Sequence, residues 1–178
     1  HHRDADSRVH VVDQVGVVAG DHRALDLQAG GQLAGGDVEL ARQDPDWAVA
    51  GVWGVKPDGS RAGCVYCTGL GCTLGRAGEP PVPVRTLDEL LLIVRKSSGV
   101  RFDDRLPGYH FYATDICLAA ERKGLKCYAL SVFCVHNTNG YGMLPWQFWQ
   151  TYWWMRNKWR NQLPVTTPCI EITPFGWP

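Results

Sequence analysis

The first 36 residues contain no Trp, Tyr, Phe, Cys or Pro. Large apolar side chains dominate core energetics, so this stretch, rich in Gly, Ala, Val and Asp, is expected to be weakly specified, with a Val-rich run from Val9 to Val18 as its main pattern. The whole chain of 178 residues also lacks net charge: Lys plus Arg and Asp plus Glu both number 18. A neutral balance leaves no electrostatic footprint for nucleic acid. Missing too is any apolar run of the ~18 residues a membrane-spanning helix needs. No secretory signal pattern is visible, and no Gly-rich phosphate loop of the dinucleotide or Walker kind. The chain begins His1-His2-Arg3 without an initiator Met, as a fragment, a processed chain or an expressed segment would. Residues 1–36 thus read as a truncated or mistranslated start.

What is present sharpens after residue 40. Hydrophobic residues make up 45%, and at this length about 70% of the unfolded surface can be buried, so one domain with a real core is expected. The seven Cys are an odd number scattered through a chain too long for a disulfide-stapled mini-domain, which points to a reduced, intracellular protein. Of eight Trp, five lie between Trp146 and Trp159.

Asp37 to Gln43 reads as the end of a short helix stopped by Asp44-Pro45. Trp47 to Val55 is an apolar run suited to a buried strand. Lys56-Pro57-Asp58-Gly59 is a turn, since Pro presets φ and Gly accepts φ > 0. Gly63 to Gly75 holds short strands or a loop, and Pro80, Pro81 and Pro83 an extended connector. Leu87 to Val94 is ambiguous between helix and strand by composition. Thr114 to Lys123 is a short helix with Thr114 as N-cap and Gly124 as its stop. Leu125 to Val135 reads as one strand covered on both faces. Strand, helix and strand in that order make the domain α/β.

Pro145 to Asn161 is expected to be helical, entered at Pro145 and ended by Pro164. Trp146, Trp149 and Trp153 fall on one side, with Phe148, Tyr152, Met155 and Trp159 beside them, and Trp154 among the polar residues opposite. Such a helix docks on its own domain, or lies at a membrane interface or against a partner.

From Val84 to Thr138 several pieces follow in a recognisable order: Leu87-Asp88-Glu89 stepping into an apolar stretch that ends at Lys96, Phe102-Asp103-Asp104, His110-Phe111-Tyr112, Asp115 opening a helix, then Gly124 and a strand ending at His136. This arrangement resembles the acceptor-side, C-terminal half of a family 2 glycosyltransferase domain of the GT-A fold, in a subgroup carrying His-Phe-Tyr-x-x-Asp. Asp44 to Gly54 extends the resemblance over about three quarters of the chain, so residues 41–178 read as a glycosyltransferase-like domain and 1–40 as a separate N-terminal stretch. By the same resemblance Leu87 to Val94 is a strand, and the fold is α/β with a partial GT-A-like mixed sheet, flanking helices and the C-terminal aromatic amphipathic helix.

The resemblance implies transfer of a sugar from a nucleotide-diphosphate donor to a glycan or lipid-linked acceptor, with inversion. Such chemistry needs a base near the acceptor hydroxyl and neutralisation of the leaving diphosphate, usually by a divalent metal. By resemblance Asp115 is the catalytic base, Asp88, Glu89, His110 and Tyr112 line the acceptor site, His136 binds the metal, and the metal is Mg²⁺ or Mn²⁺. Asp103 and Asp104 are structural. The subgroup often has two adjacent carboxylates here, whereas this chain has Ala113-Thr114-Asp115. The donor-side acidic motif is also not found. Asp4-Ala5-Asp6 has the pattern without a preceding strand, and Asp13 lacks companions, so the chain is expected to be inactive alone.

Two other readings stand beside this one. One is a non-catalytic module derived from a transferase fold that binds glycan or a partner. The other is a zinc module started by Cys64, Cys67 and Cys72, with a further ligand from Cys127, Cys134 or His136; Ala77 stands where a knuckle's last Cys belongs. The expected location is cytoplasmic, with peripheral membrane contact through the Trp-rich helix.

Overall fold

The structure is a computed structural model that describes residues 9–12, 15–19, 40, 44–137 and 143–175, for the first two stretches only the backbone. Asp4, Asp6 and Asp13 lie outside the described residues, as does the expected helix end at 37–43 except for Leu40.

The chain is mixed α/β. β1 (Val9–Val12) and β2 (Val15–Ala19) form a hairpin from the stretch expected to be weakly specified. β3 (Trp47–Gly51) and β4 (Trp53–Val55) follow, then β5 (Arg61–Cys67), β6 (Cys72–Gly75), β7 (Val82–Val84), β8 (Thr86–Leu87) and β9 (Leu91–Arg95). α1 (Tyr112–Glu121) leads to β10 (Lys126–Ala129) and β11 (Cys134–His136). α2 (Trp146–Lys158) precedes the short hairpin β12 (Val165–Thr166) and β13 (Glu171–Ile172).

One sheet has the order β1-β2-β9-β3-β10-β7, with β3 and β10 parallel and the other neighbours antiparallel. The second has the order β11-β5-β4-β8, with β6 on β5. The proline-rich connector ends as the edge strand β7, where Pro83 faces Tyr128, a position that tolerates a missing N–H.

Three apolar stretches expected to be single strands are each divided between the two sheets. Trp47 to Val55 breaks at Val52, Leu87 to Val94 at Asp88–Leu90, and Leu125 to Val135 at Leu130–Phe133. The crossings are stitched side by side: the Leu130 N–H donates to Gly51 O at 2.7 Å and the Asp88 N–H to Trp53 O at 2.8 Å. Asp88 also closes its own bend, its Oδ1 accepting the Leu90 N–H at 3.1 Å. β11 is half-exposed, not covered on both faces as expected for the Leu125–Val135 run.

The central strands alternate as a covered sheet requires. Leu92, Val94, Cys127 and Ala129 face α1, and Leu91, Ile93, Tyr128 and Leu130 face the opposite core with Trp47 and Trp53. β3 keeps this alternation only through a bulge: Trp47 pairs Lys126 and Val49 pairs Cys127, so Ala48 is the extra residue.

Local chemistry explains the helices. α1 packs Ala113, Ile116, Cys117 and Ala120 on the sheet, an i, i+3, i+4, i+7 stripe. Phe111 and Leu118 turn to the other side, toward α2. α1 starts two residues before the expected Thr114, with Phe111 at the N-cap in the left-handed region at φ 64°. Its buried ring stacks on Phe148 at 4.7 Å, and this packing holds a conformation that non-glycine residues rarely adopt. Gly124, at φ 72°, ends the turn after α1 as expected.

α2 is docked on its own domain. Phe148, Tyr152, Met155 and Trp159 form its buried stripe against Phe111, Leu118, Val165 and Ile172. Trp149 and Trp153 pack beside them, and so does Trp154, which the helical wheel had put on the polar side. Trp146 is exposed. Arg85 pins the segment after α2, donating to Gln162 O at 2.9 Å and Pro164 O at 3.0 Å. Among the described residues, no helix is long and apolar enough to cross a membrane.

Candidate functional site at the start of the central helix

A short turn, Arg122–Leu125, links α1 to β10, so helix and strand run antiparallel. The start of α1 therefore lies beside the C-terminal ends of the parallel pair β3 and β10, the end at which open α/β sheets place their ligands. The Asp88–Leu90 crossing reaches the same place. Tyr112 Oη donates to the Glu89 carbonyl at 2.7 Å. The Glu89 carboxylate accepts the backbone N–H groups of Phe111 and Ala113, at the helix start where orphan donors and the dipole favour an anion.

Glu89 is half-buried, and desolvation, with the neighbouring Asp88 charge second, pushes its carboxyl up to about 8 despite those hydrogen bonds. Burial lowers the His110 pKa, so this ring is neutral at physiological pH; it packs edge-on to Phe148 at 5.1 Å. The Tyr112 phenol lies well above its ordinary range through desolvation and the Glu89 charge. Glu89, His110, Thr114, Thr167 and Cys169 line a cavity of about 20 Å³, room for roughly one water and far too small for a sugar. Cys169 and Thr167 were not singled out in the sequence. Tertiary packing brings them from the hairpin after α2, and no local signal marks them.

Asp115 is not among the residues that line this cavity. It lies on the α1 stripe with Phe111 and Leu118, turned toward α2, and is 2% exposed. Its two oxygens accept Lys158 Nζ at 2.7 and 2.9 Å, and Oδ1 also accepts Trp159 Nε1 at 2.7 Å. Lys158 bonds Asp103 Oδ2 at 2.8 Å as well, and Asp103 holds Arg105 through both oxygens. Arg105 first and Lys158 second keep the Asp103 carboxyl far below the usual range. Asp103, expected to be structural, is ion-paired to Arg105 and Lys158. The residue expected to be the catalytic base is thus the centre of an ion-paired network tying α1 to the end of α2. Lys158 and Trp159 lie more than forty residues away in sequence, and nothing local signals the pairing.

His136 ends β11 in the second sheet, paired with Cys67, and its carbonyl accepts the Thr68 N–H at 3.0 Å. Among the described residues no three His, Cys, Asp or Glu side chains come together as a metal site requires, with His136 or without it. The zinc reading fails on strand geometry: Cys64 and Cys67 are three residues apart on β5, so their side chains leave opposite faces.

No protein-family model matches the chain. It is 32% identical over 101 residues to a Fuscovulum blasticum protein named "ATP synthase subunits region ORF 6", over 54% of this chain and 41% of that protein. The chain thus matches about two fifths of that relative's length, and the relative's name states a region and a reading frame, not an activity.

Proposed function

We propose that the chain carries the acceptor end of a sugar-transfer domain, one that moves a sugar from a nucleotide-diphosphate donor to a hydroxyl of a glycan or lipid-linked acceptor. The observation that supports this reading is convergence. Asp88-Glu89 and His110-Tyr112, about twenty residues apart in sequence, meet at the start of the helix that carries Asp115, beside the C-terminal ends of a parallel strand pair. In the proposed step the acceptor hydroxyl gives its proton to Asp115, its oxygen bonds to the anomeric carbon, and the diphosphate leaves with the bonding electron pair. Asp115 can accept that proton only after the Lys158 ammonium has left one of its oxygens. Sugar transfer therefore requires the end of α2 to move, or a substrate hydroxyl to displace Lys158.

The saturation of Asp115 also favours a second reading, a transferase-derived module that binds saccharide without transferring it. Thermal unfolding with nucleotide-diphosphate sugars, Mg²⁺ or Mn²⁺ supplied, separates the two. A concentration-dependent rise in Tm supports the transfer reading. No rise with any donor removes a donor site from this chain and leaves an acceptor-side fragment or the binding module. In any form of the protein that turns over, Asp115→Asn should abolish transfer with the fold intact, and retained turnover would refute the base assignment.

A further inference from the structure

A second concavity lies on the far side of α2, away from Asp115 and the start of α1. It is a cleft of about 450 Å³ between the end of α2, the turns that follow it and the C-terminal segment. We infer that this cleft binds an acidic saccharide, and the inference stands whether or not the chain transfers sugar.

The lining carries three kinds of chemistry. Arg156 and Arg160 supply two guanidiniums, and none of the described lining residues is acidic. Arg156 is already positioned: it donates to Pro174 O at 2.6 Å and stacks on Trp153 at 4.8 Å, so little freedom is lost on binding. Arg160 is exposed. Guanidinium forks match carboxylate and phosphate oxygens. Asn157 and Asn161, both exposed, each offer a carbonyl acceptor and an amide donor, the complement of adjacent sugar hydroxyls. Trp153 and Leu163 add apolar surface for the C–H face of a ring.

The cleft volume falls in the ~300–1,000 Å³ range of small-molecule sites. A lipid surface fits less well, because the continuous apolar stripe of α2 points into the protein. The anionic group is a uronate carboxylate or a sugar phosphate, which share this recognition.

Calorimetric titration of the full chain tests the inference with four probes: a glucuronate-containing disaccharide, its neutral glucose counterpart, glucose 6-phosphate and inorganic phosphate. At least one anionic sugar should bind about tenfold or more tighter than the neutral disaccharide and than phosphate alone, and whichever binds tighter identifies the anion. Arg160→Gln, an exposed change that should leave Tm unaltered, should weaken that binding about tenfold, and Asn161→Ala about threefold. The inference is overturned if no anionic sugar binds, if phosphate alone or the neutral sugar binds equally well, or if Arg160→Gln has no effect. Binding to anionic lipid vesicles without binding to any sugar also overturns it.

Discussion

Replacing Lys158 by Met is the sharpest probe of the network that holds the two helices together. Methionine keeps the apolar stem and removes only the ammonium. Asp115, 2% exposed, would be left with a single donor, Trp159 Nε1 at 2.7 Å. Asp103 would keep Arg105. Removing one partner of a buried pair costs roughly 3–5 kcal/mol because the other charge stays buried without compensation. The Lys158 side chain is 21% exposed, so water offsets part of this, and the low end, about 3 kcal/mol, is expected. For a domain of this size that lowers Tm by about 6–12 °C. Asp115→Asn should cost less, about 1–2 kcal/mol, since the amide oxygen still accepts Trp159 and Lys158 retains Asp103. The double variant should then lose at least about 1 kcal/mol less than the two single losses added together. Urea unfolding of the four proteins followed by far-UV circular dichroism measures this, with an unchanged slope confirming that stability alone has moved. A Lys158→Met protein within about 0.5 kcal/mol of the parent, with additive single losses, would refute the account of this network.

Other outcomes follow from the same structure. Asp44 is held by Lys126 at 2.7 Å, Tyr128 at 2.5 Å and the Asp46 N–H at 2.9 Å, and its carboxyl is lowered to about 2 from 3.8. A depressed folded pKa contributes stability above the unfolded value, so Asp44→Asn should cost about 1 kcal/mol at pH 7 and progressively less as pH falls from about 4 to 2, read by urea midpoints across that range. Glu89 has the opposite sign: its folded carboxyl is raised to about 8 against 4.5, so the folded state loses stability as pH rises through that window. Glu89→Gln, which still accepts the Phe111 and Ala113 N–H groups, should flatten the loss and match or exceed the parent's Tm above pH 8; a parallel pH profile would sink the assignment. Gly63 sits at φ 114°, and a Cβ there would stand 2.0 Å from Val52 O, so Gly63→Ala should cost at least about 3 kcal/mol and yield little folded protein, as judged by soluble expression and Tm.

The elements between Leu87 and His136 were legible because their signals are local: an acidic step into a strand, an aromatic triplet, a helix start and a glycine stop. Their gathering at the start of α1 follows from an α/β order that the sequence also shows. The state of the carboxylate was not legible. Asp115 reads the same whether its side chain meets solvent, substrate or Lys158, and the choice depends on how α2 packs more than forty residues later. Thr114 looks the better N-cap, yet Phe111 takes the position because burying its ring against Phe148 and Tyr152 outweighs a left-handed backbone.

By itself the sequence determined whatever nearest neighbours decide. Gly59, at φ 83°, lies in the Lys56–Gly59 turn. Gly124 stops α1, and Pro145 opens α2 along the stripe of Phe148, Tyr152 and Met155. Only the tertiary structure decided where the apolar runs break, because a strand buried on both faces has no alternation to show which sheet each half will join. It also decided that Asp115 is paired and the cavity beside Glu89 closed, since burial and ion pairing depend on residues that folding alone brings together.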